Sequence, residues 1–534
     1  MLISGYEQFK DFKEHNIAEF FRKNRQMLGF VGKVKSLTMV VHELVTNSLD
    51  AAEKAGILPE ITVRVTKTGE EKYVVEVKDN GPGIPYEYIP DVFGKMLKST
   101  KFEKYQQSRG KQGIGASAVT LFSQMTTGEP TYVVSRYIDK KGRLVEARVK
   151  VKIDTTKNEP EVVEKSKKIL EDNEVSTGLY VRVALAEVLY RNDDQGVLEY
   201  LKRTAIVNPH ATIRLIDPDR RRIVFRRSID KPLPPPKETK PHPNGVSADD
   251  LLWICKSSRR KNLRLVLMND LIRVSPNKIE ELKKLLKKKG YSPKILEKPP
   301  SKVTFEDCKA IVSCFKEMKF MAPPLDVLRP LGEKYIRSSM KQIYKPNFVF
   351  AEKRKPSVYW GGVPFLIEGA IAYVEKSNRK LEILRFANNV PLLFDNSACV
   401  IFKEIKEFPW KNYGLSNIEN MPVKIMVHVV STHIPYTSAG KQAIADVPEI
   451  RKEIHLLISR FANRFAYYMK IKSKLKKLEE HKKILKGMIP LVVDSLNYVT
   501  GYDKNELKQG LELLVKEKFE ELDRLKKRLL GDEE

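Results

Sequence analysis

Three segments between residues 39 and 122 carry side chains suited to phosphate chemistry. In MVVHELVTNSLDAAEKAG, a helix would gather Glu43, Asn47, Asp50 and Lys54 within about 60° of one another. Val40, Leu44, Ser48, Ala51 and Ala52 would form a separate broad face, widened by Val41, Val45 and Leu49. A carboxylate one turn before an amide can orient a water and ligate a hard cation, although any solvated helix face has such a composition. The second segment ends an alternating apolar run at Asp79-Asn80-Gly81-Pro82-Gly83. A carboxylate there can accept a hydrogen bond from an adenine amino group, and Gly81 and Gly83 let backbone approach a flat base. A plain turn would look the same. The third, SRGKQGIGASAVTLF (108–122), is a glycine-bearing loop that opens onto a helix, so its N–H groups and the helix dipole can receive an anion. It is not a Walker A loop, because GxxxxGK[ST] is absent: Lys98-Ser99-Thr100 follows Leu97, not glycine. It does not follow a clear first strand either, which excludes a Rossmann loop.

Several elements must hold these segments in place. The periodicity predicts a helix over 36–54, strands at 61–65 and 73–77, and a helix near 115–126. Strands at 131–138, 143–153 and 179–185 follow, then a helical LEYLKRTAI and two short strands, ATIRLI and RIVFRR. This alternation predicts a layered α/β domain with a mixed sheet over 1–228, with residues 1–30 helical and peripheral. KPLPPPKETKPHPNG (231–245) is a proline-rich break. A short, basic helical unit over 229–301 comes next. A second α/β unit spans 302–470, with strands expected at 357–359, 365–374, 381–386, 398–402 and 424–434. Residues 471–534 read as a charged helical region, with the helices of the C-terminal part broken near Pro490 and Gly501. The fold class is thus α/β multidomain.

At 534 residues the chain exceeds a single core, and roughly three or four domains are expected. No run of about eighteen apolar residues is present, and the first residues lack a signal-peptide pattern, so the expectation is a cytoplasmic protein without a membrane span. Cys255, Cys308, Cys314 and Cys399 form no CxxC pair and read as reduced, buried thiols. Lysine and arginine number 97 against 68 acidic residues, a net charge of +29 that favours a polyanionic partner, most simply nucleic acid.

Taken together and in order, the three segments resemble the Bergerat ATP-binding fold of the gyrase, heat-shock chaperone, histidine kinase and MutL superfamily. The helix box ExxxN, the DxGxG box and the glycine lid match, and Ser176-Thr177-Gly178-Leu179 resembles the fourth box, which places a threonine beside adenine. The resemblance implies ATP and Mg2+ as cofactors. Glu43 would be the general base and Asn47 the magnesium ligand. Asp79, with Gly81, Gly83 and Thr177, would hold adenine. The phosphates would be wrapped by Gly110, Lys111, Gln112, Gly113, Ile114, Gly115, Ala116 and Ser117, and the binding set extends to Ser99, Thr100, Lys101 and Arg109. Phosphoryl transfer needs positioning, a divalent cation and donors to phosphate oxygens more than covalent help, and one amide plus phosphates and waters suits magnesium. A glutamate at position 43 points to hydrolysis.

EFFRKNRQMLGF, FGKMLKSTKFEKYQQSRGKQGIGAS, NPHATIRL, RFANNVPLLFD and FPWKNYGL resemble the B-subunit family of type IIB DNA topoisomerases over essentially the whole chain. Asn389 departs from the basic residue expected in that pattern. The resemblance implies a Bergerat-type α/β sandwich ATPase domain, a helix-two-turn-helix insert, an α/β transducer and a C-terminal helical stalk. It also implies a DNA-cleaving A subunit as partner, double-stranded DNA as substrate, ATP-driven homodimerisation of B subunits and an A2B2 heterotetramer. In this family a transducer lysine reaches the γ-phosphate; Lys441, in TSAGKQ, is the matching residue. Trp410, Lys411 and Tyr413 match a WKxY element associated with DNA contact, where a cation between aromatics could press on a duplex, or the two rings could simply pack. Lys256, Arg259, Arg260, Lys261 and Arg264 could contact phosphates or merely be solvated. A MutL-type mismatch-repair ATPase is the rival reading; that family lacks the proline-bounded insert.

Overall fold

The computed structural model describes residues 17–98, 105–110, 113–171, 176–378, 380–438, 440–520 and 525. Ser99, Thr100, Lys101, Lys111 and Gln112 lie outside the described residues, as do residues 1–16 of the expected peripheral helix.

After a short helix α1 (Ile17–Lys23), α2 (Lys33–Lys54) carries the Glu43 segment. Its apolar stripe is buried at Val40, Val41, Leu44, Val45, Leu49 and Ala52. β1 (Glu60–Gly69) and β2 (Lys72–Lys78) form a hairpin, followed by α3 (Ile89–Gly94) and α4 (Gly115–Thr127). β3 (Thr131–Ile138), β4 (Leu144–Asp154), β5 (Glu159–Ile169) and β6 (Gly178–Leu185) precede α5 (Val197–Val207), β7 (Thr212–Ile216) and β8 (Arg222–Phe225). The eight strands form one sheet in the order β5-β4-β3-β6-β2-β1-β7-β8. Among the described residues, the β1–β7 pair is the one parallel pairing within it. In β1 and β3 buried residues alternate with less buried ones, so the helices cover one face of a two-layer sandwich. β5 is not predicted from the sequence. It is an edge strand of EPEVVEKSKKI with most side chains exposed, and such charges suit an edge while erasing the apolar signal of a strand.

α6 (Ala248–Ser257), α7 (Leu263–Asp270), α8 (Pro276–Lys288) and α9 (Phe305–Phe315) share one apolar cluster that includes Leu251, Leu267, Leu282, Ile311 and Phe315. α9, which the sequence division assigns to the next unit, therefore packs with the helical unit: Cys308, Ile311 and Phe315 point into its core. Ser247 and Thr304 close capping boxes at α6 and α9.

The second α/β unit opens with α10 (Glu333–Tyr344). β9 (Phe348–Lys353), β10 (Ser357–Tyr359), β11 (Val363–Tyr373), β12 (Glu382–Ala387) and β13 (Val390–Pro391) follow, then α11 (Val400–Glu407) and β14 (Val423–Ser431). Its sheet runs β10-β11-β14-β12-β13, with β9 also on β11. β11 and β14 are buried almost throughout because both faces are covered: α10 lies on one and the start of a long helix on the other. The strand expected at 398–402 is instead a 3-10 turn leading into α11. A short apolar run does not distinguish a buried strand from a helix by periodicity, and here Ile401, Glu404 and Ile405 recur at helical spacing on the buried side.

α12 (Pro448–Thr500) is a single helix of 53 residues. Ile450, Ile454, Leu457, Ile458, Phe461 and Phe465 bury its root against the sheet. The break expected near Pro490 does not occur; the helix continues to Thr500 and ends at Gly501, whose left-handed φ of 74° caps it. α13 (Lys504–Lys518) doubles back, bringing Lys504 to Asp494 and Phe519 under Lys482.

Candidate nucleotide site

The site is assembled between α2, the end of β2, the start of β6 and the loop before α4. Asp79 closes β2 and is buried. Its carboxylate accepts hydrogen bonds from the Ser48 hydroxyl (2.6 Å), Gly81 N–H (2.9 Å) and Leu179 N–H (3.1 Å). Burial raises its pKa, and these three donors offset the rise only in part. Asp79 N–H in turn bonds the Leu179 carbonyl, which places the partly buried Thr177 beside the DxGxG segment. Two glycines are required by close approach. A Cβ on Gly178 would overlap the Asp79 carbonyl, and one on Gly83, at a φ of 72°, would overlap the Arg136 carbonyl.

On α2, Glu43 is partly buried and Asn47, one turn on, is exposed. Glu43 faces the lid: a Cβ on Gly115 would overlap its Oε2. Gly113 has a φ of 60°, after which Ile114 and Gly115 open α4. Ser117 is buried, and its hydroxyl donates to the Ile114 carbonyl at 3.1 Å. Ala116, also in this first turn, packs against the domain core. Lys441, from the loop between β14 and α12, reaches the same place. Its Nζ is 3.7 Å from where a Cβ on Gly110 would sit. Beside Glu43, burial lowers the pKa of the His42 imidazole; Glu43 opposes this and Lys441 reinforces it.

Arg109 is turned elsewhere. Its guanidinium is buried and ion-paired with Asp50 (2.6 Å) and Glu53, and it donates to the Asn208 side chain at 2.6 Å. Glu53 also meets His210 and Arg329 at 2.9 Å each. Burial alone would raise the Glu53 carboxyl, but Arg109, His210 and Arg329 together hold it well below its ordinary value. Sequence reasoning missed this cluster because its members come from residues 50, 53, 109, 210 and 329. It missed Ser48 as a partner of Asp79 as well, because helical spacing groups Ser48 with the apolar residues.

Trp410 is in the core, with its indole N–H on the Ile405 carbonyl (2.9 Å) and its ring against Phe408. Tyr413 stacks on Phe408, leaving Lys411 exposed. All four cysteines are free and buried. Among the described residues no group of three or more His, Cys, Asp or Glu could hold a metal, and no helix is long and apolar enough to cross a membrane. Asn47, exposed one turn after Glu43, offers a hard oxygen that could hold magnesium together with phosphate and water oxygens.

Residues 32–156 match the family described as histidine kinase-, DNA gyrase B- and HSP90-like ATPase, and residues 323–482 match the topoisomerase VI B-subunit transducer. The B subunit of type 2 DNA topoisomerase 6 from Pyrococcus horikoshii is 42% identical over 559 residues, covering 97% of this chain and 98% of that one. The chain belongs to the topoisomerase VI B-subunit family. A relative of the same name from Methanothermobacter thermautotrophicus is 42% identical over 512 residues, covering 95% of each chain. Among solved structures, the DNA gyrase B subunit from Myxococcus xanthus is 13% identical with a TM-score of 0.41, over 84% of this chain and 95% of that one. The B-subunit transducer match begins at 323, just beyond α9 and the helical cluster.

Proposed function

We infer that this chain binds and hydrolyses ATP to drive double-strand passage by a type II DNA topoisomerase, working with a separate A subunit that cleaves DNA. The observation that carries the reading is the meeting of Glu43, Gly110, Gly115 and Lys441 at one lid, from segments far apart in sequence. Glu43 acts as general base on the attacking water, in a position where its carboxylate lies against Gly115. Asn47 ligates Mg2+, and Asp79 receives the adenine amino group with Gly81, Gly83 and Thr177 around it. The N–H groups from Gly110 to Ser117 hold the phosphates at the start of α4, together with Ser99, Thr100, Lys101, Lys111 and Gln112. Arg109 contributes through its backbone, because its guanidinium is held by Asp50 and Glu53. Lys441 bonds the γ-phosphate and links nucleotide state to the transducer.

The units divide as an ATPase domain to about residue 228, a helical insert to about 320, a transducer to about 470 and a stalk beyond, with the insert extended by the packing of α9. ATP-driven pairing of two B subunits, an A2B2 assembly and cytoplasmic residence belong to the same reading. The relatives set the MutL-type alternative aside. The test is relaxation of supercoiled plasmid with ATP and magnesium. Relaxation is expected only when this chain and its A subunit are combined; covalent DNA breaks made by this chain alone would overturn the division of labour.

A further inference from the structure

The lid is held at its root as well as at its tip. Just before Gly110, the Gln107 side chain pairs with the backbone of Arg329, accepting from its N–H (2.8 Å) and donating to its carbonyl (3.2 Å). The same amide group donates to Asn389 Oδ1 at 3.3 Å. Asn388 donates to the Ser108 carbonyl at 3.1 Å. Asn388 and Asn389 form the turn between β12 and β13 with left-handed φ values of 46° and 65°, which asparagine tolerates better than most residues.

Asn389 is buried, yet every polar group it has is satisfied across the domain boundary or into the second sheet. Its Nδ2 donates to the Val207 carbonyl (2.8 Å), and its carbonyl accepts from Asn208 (3.1 Å). Its N–H donates to His428 Nε2 at 2.9 Å. His428 must therefore carry its proton on Nδ1, which faces Glu368 at 2.9 Å. Glu368 accepts from Leu331 and Gly332 N–H, two and three residues beyond Arg329. The chain of bonds thus leaves the lid root, crosses the second sheet and returns to the segment that Gln107 grips.

The Lys441 loop hangs from the same strand end. Arg385 of β12 donates to the Gln442 carbonyl (3.3 Å), and Gln442 Oε1 accepts from Phe394 N–H (3.4 Å). Where Lys441 lies relative to Gly110 is accordingly set by how the end of β12 docks on the ATPase domain, to which Asn388, Asn389 and Gln107 contribute side-chain hydrogen bonds beside the Glu53–Arg329 ion pair.

We propose that Asn389 and Gln107 form a latch that positions Lys441 over the nucleotide lid, making them positioning residues for ATP turnover. The proposal rests on the reading of Lys441 as the γ-phosphate contact. Its test uses the full chain with its A subunit and four variants: Asn389→Gly, which keeps the left-handed turn while removing the side-chain bonds; Gln107→Ala; Lys441→Ala; and the Asn389→Gly/Lys441→Ala pair. The latch predicts that Asn389→Gly and Gln107→Ala each lower kcat for ATP about tenfold with KM within about twofold, and that Asn389→Gly costs nothing further once Lys441 is gone. Unchanged kcat in both latch variants, or losses that multiply in the pair, would overturn it. If Lys441→Ala alone left turnover intact, the Lys441 reading would fall. The latch itself would then be decided by amide hydrogen exchange at 105–110 and 437–442. Faster exchange in Asn389→Gly upholds the fastening, and unchanged exchange refutes it.

Discussion

Helix α2 carries two glutamates ten residues apart whose surroundings are opposite in kind. Glu43 sits beside a glycine loop, with His42 Nε2 4.0 Å from its Oε1, partly open to solvent. Glu53 is buried and meets two arginines and a histidine. One carboxylate is left available to a ligand; the other ties α2 to Arg109 at the lid root and to Arg329 beyond the helical insert. The same residue type thus faces a glycine loop from the middle of the helix and ties segments together at its C-terminal end, and only the elements packed around each decide which.

Making the same change at both positions sharpens this contrast. Glu43→Gln is expected to slow ATP hydrolysis by about a thousandfold, as loss of a general base does, while nucleotide binding persists and stability shifts by no more than about 0.5 kcal/mol. Steady-state turnover and nucleotide titration read these separately, and near-normal turnover would remove Glu43 from the chemistry. Glu53→Gln should do the reverse. It strands part of a buried charge cluster and is expected to cost about 3 kcal/mol in denaturant unfolding, with ATP binding retained under conditions where the variant is folded.

The same contrast extends to pH, with opposite signs at two buried carboxylates. Glu53 titrates below its unfolded value, so its stabilisation is fully present above the ordinary carboxylate range and is lost as pH falls through the folded value. Glu53→Gln should therefore flatten the acid limb of stability against pH. Asp79 titrates above its unfolded value, so folding gains as pH drops through the folded value, whereas on the proposed reading adenine, which would use the carboxylate as acceptor, is released. Nucleotide affinity should weaken in mild acid before ordinary carboxylates protonate. Asp79→Asn should bind nucleotide about tenfold or more weakly and lose that pH dependence, as calorimetric titration would reveal. The smallest effect is expected at Lys411→Ala: a modest loss of DNA affinity and a salt-dependence slope reduced by about one. A larger effect at the buried Trp410 than at Lys411, with the fold intact, would count against the exposed cation as a DNA contact.

Much of the candidate site's geometry was readable from sequence because its signals are local. Glu43 and Asn47 are one turn apart, Asp79 ends a strand, Gly83 and Gly115 stand where a Cβ would overlap a neighbour, and Gly113 takes a left-handed φ of 60°. What could not be read depends on distance or on context. Arg109 looks like a phosphate ligand beside the lid until Glu53 and Asp50 are folded against it. β5 is hidden by the charges that protect its edge, α11 by an apolar run too short to show its period, and the membership of α9 by contacts that only packing supplies. Pro490 looks like a helix stop, but removing one backbone donor does not end a helix whose neighbouring bonds persist.

The length of α12 has a mechanical consequence. At about 1.5 Å per residue the helix is a rod of about 80 Å, so a tilt of about 5° at its first turn sweeps the far end through about 7 Å. Its root is clamped in an apolar cluster, while the residues past Ile471 are largely exposed. A rod clamped at its root and carrying only α13 at its far end among the described residues is a lever: an adjustment at the sheet too small to break its packing becomes a displacement, at the distal end, of the size of a side chain.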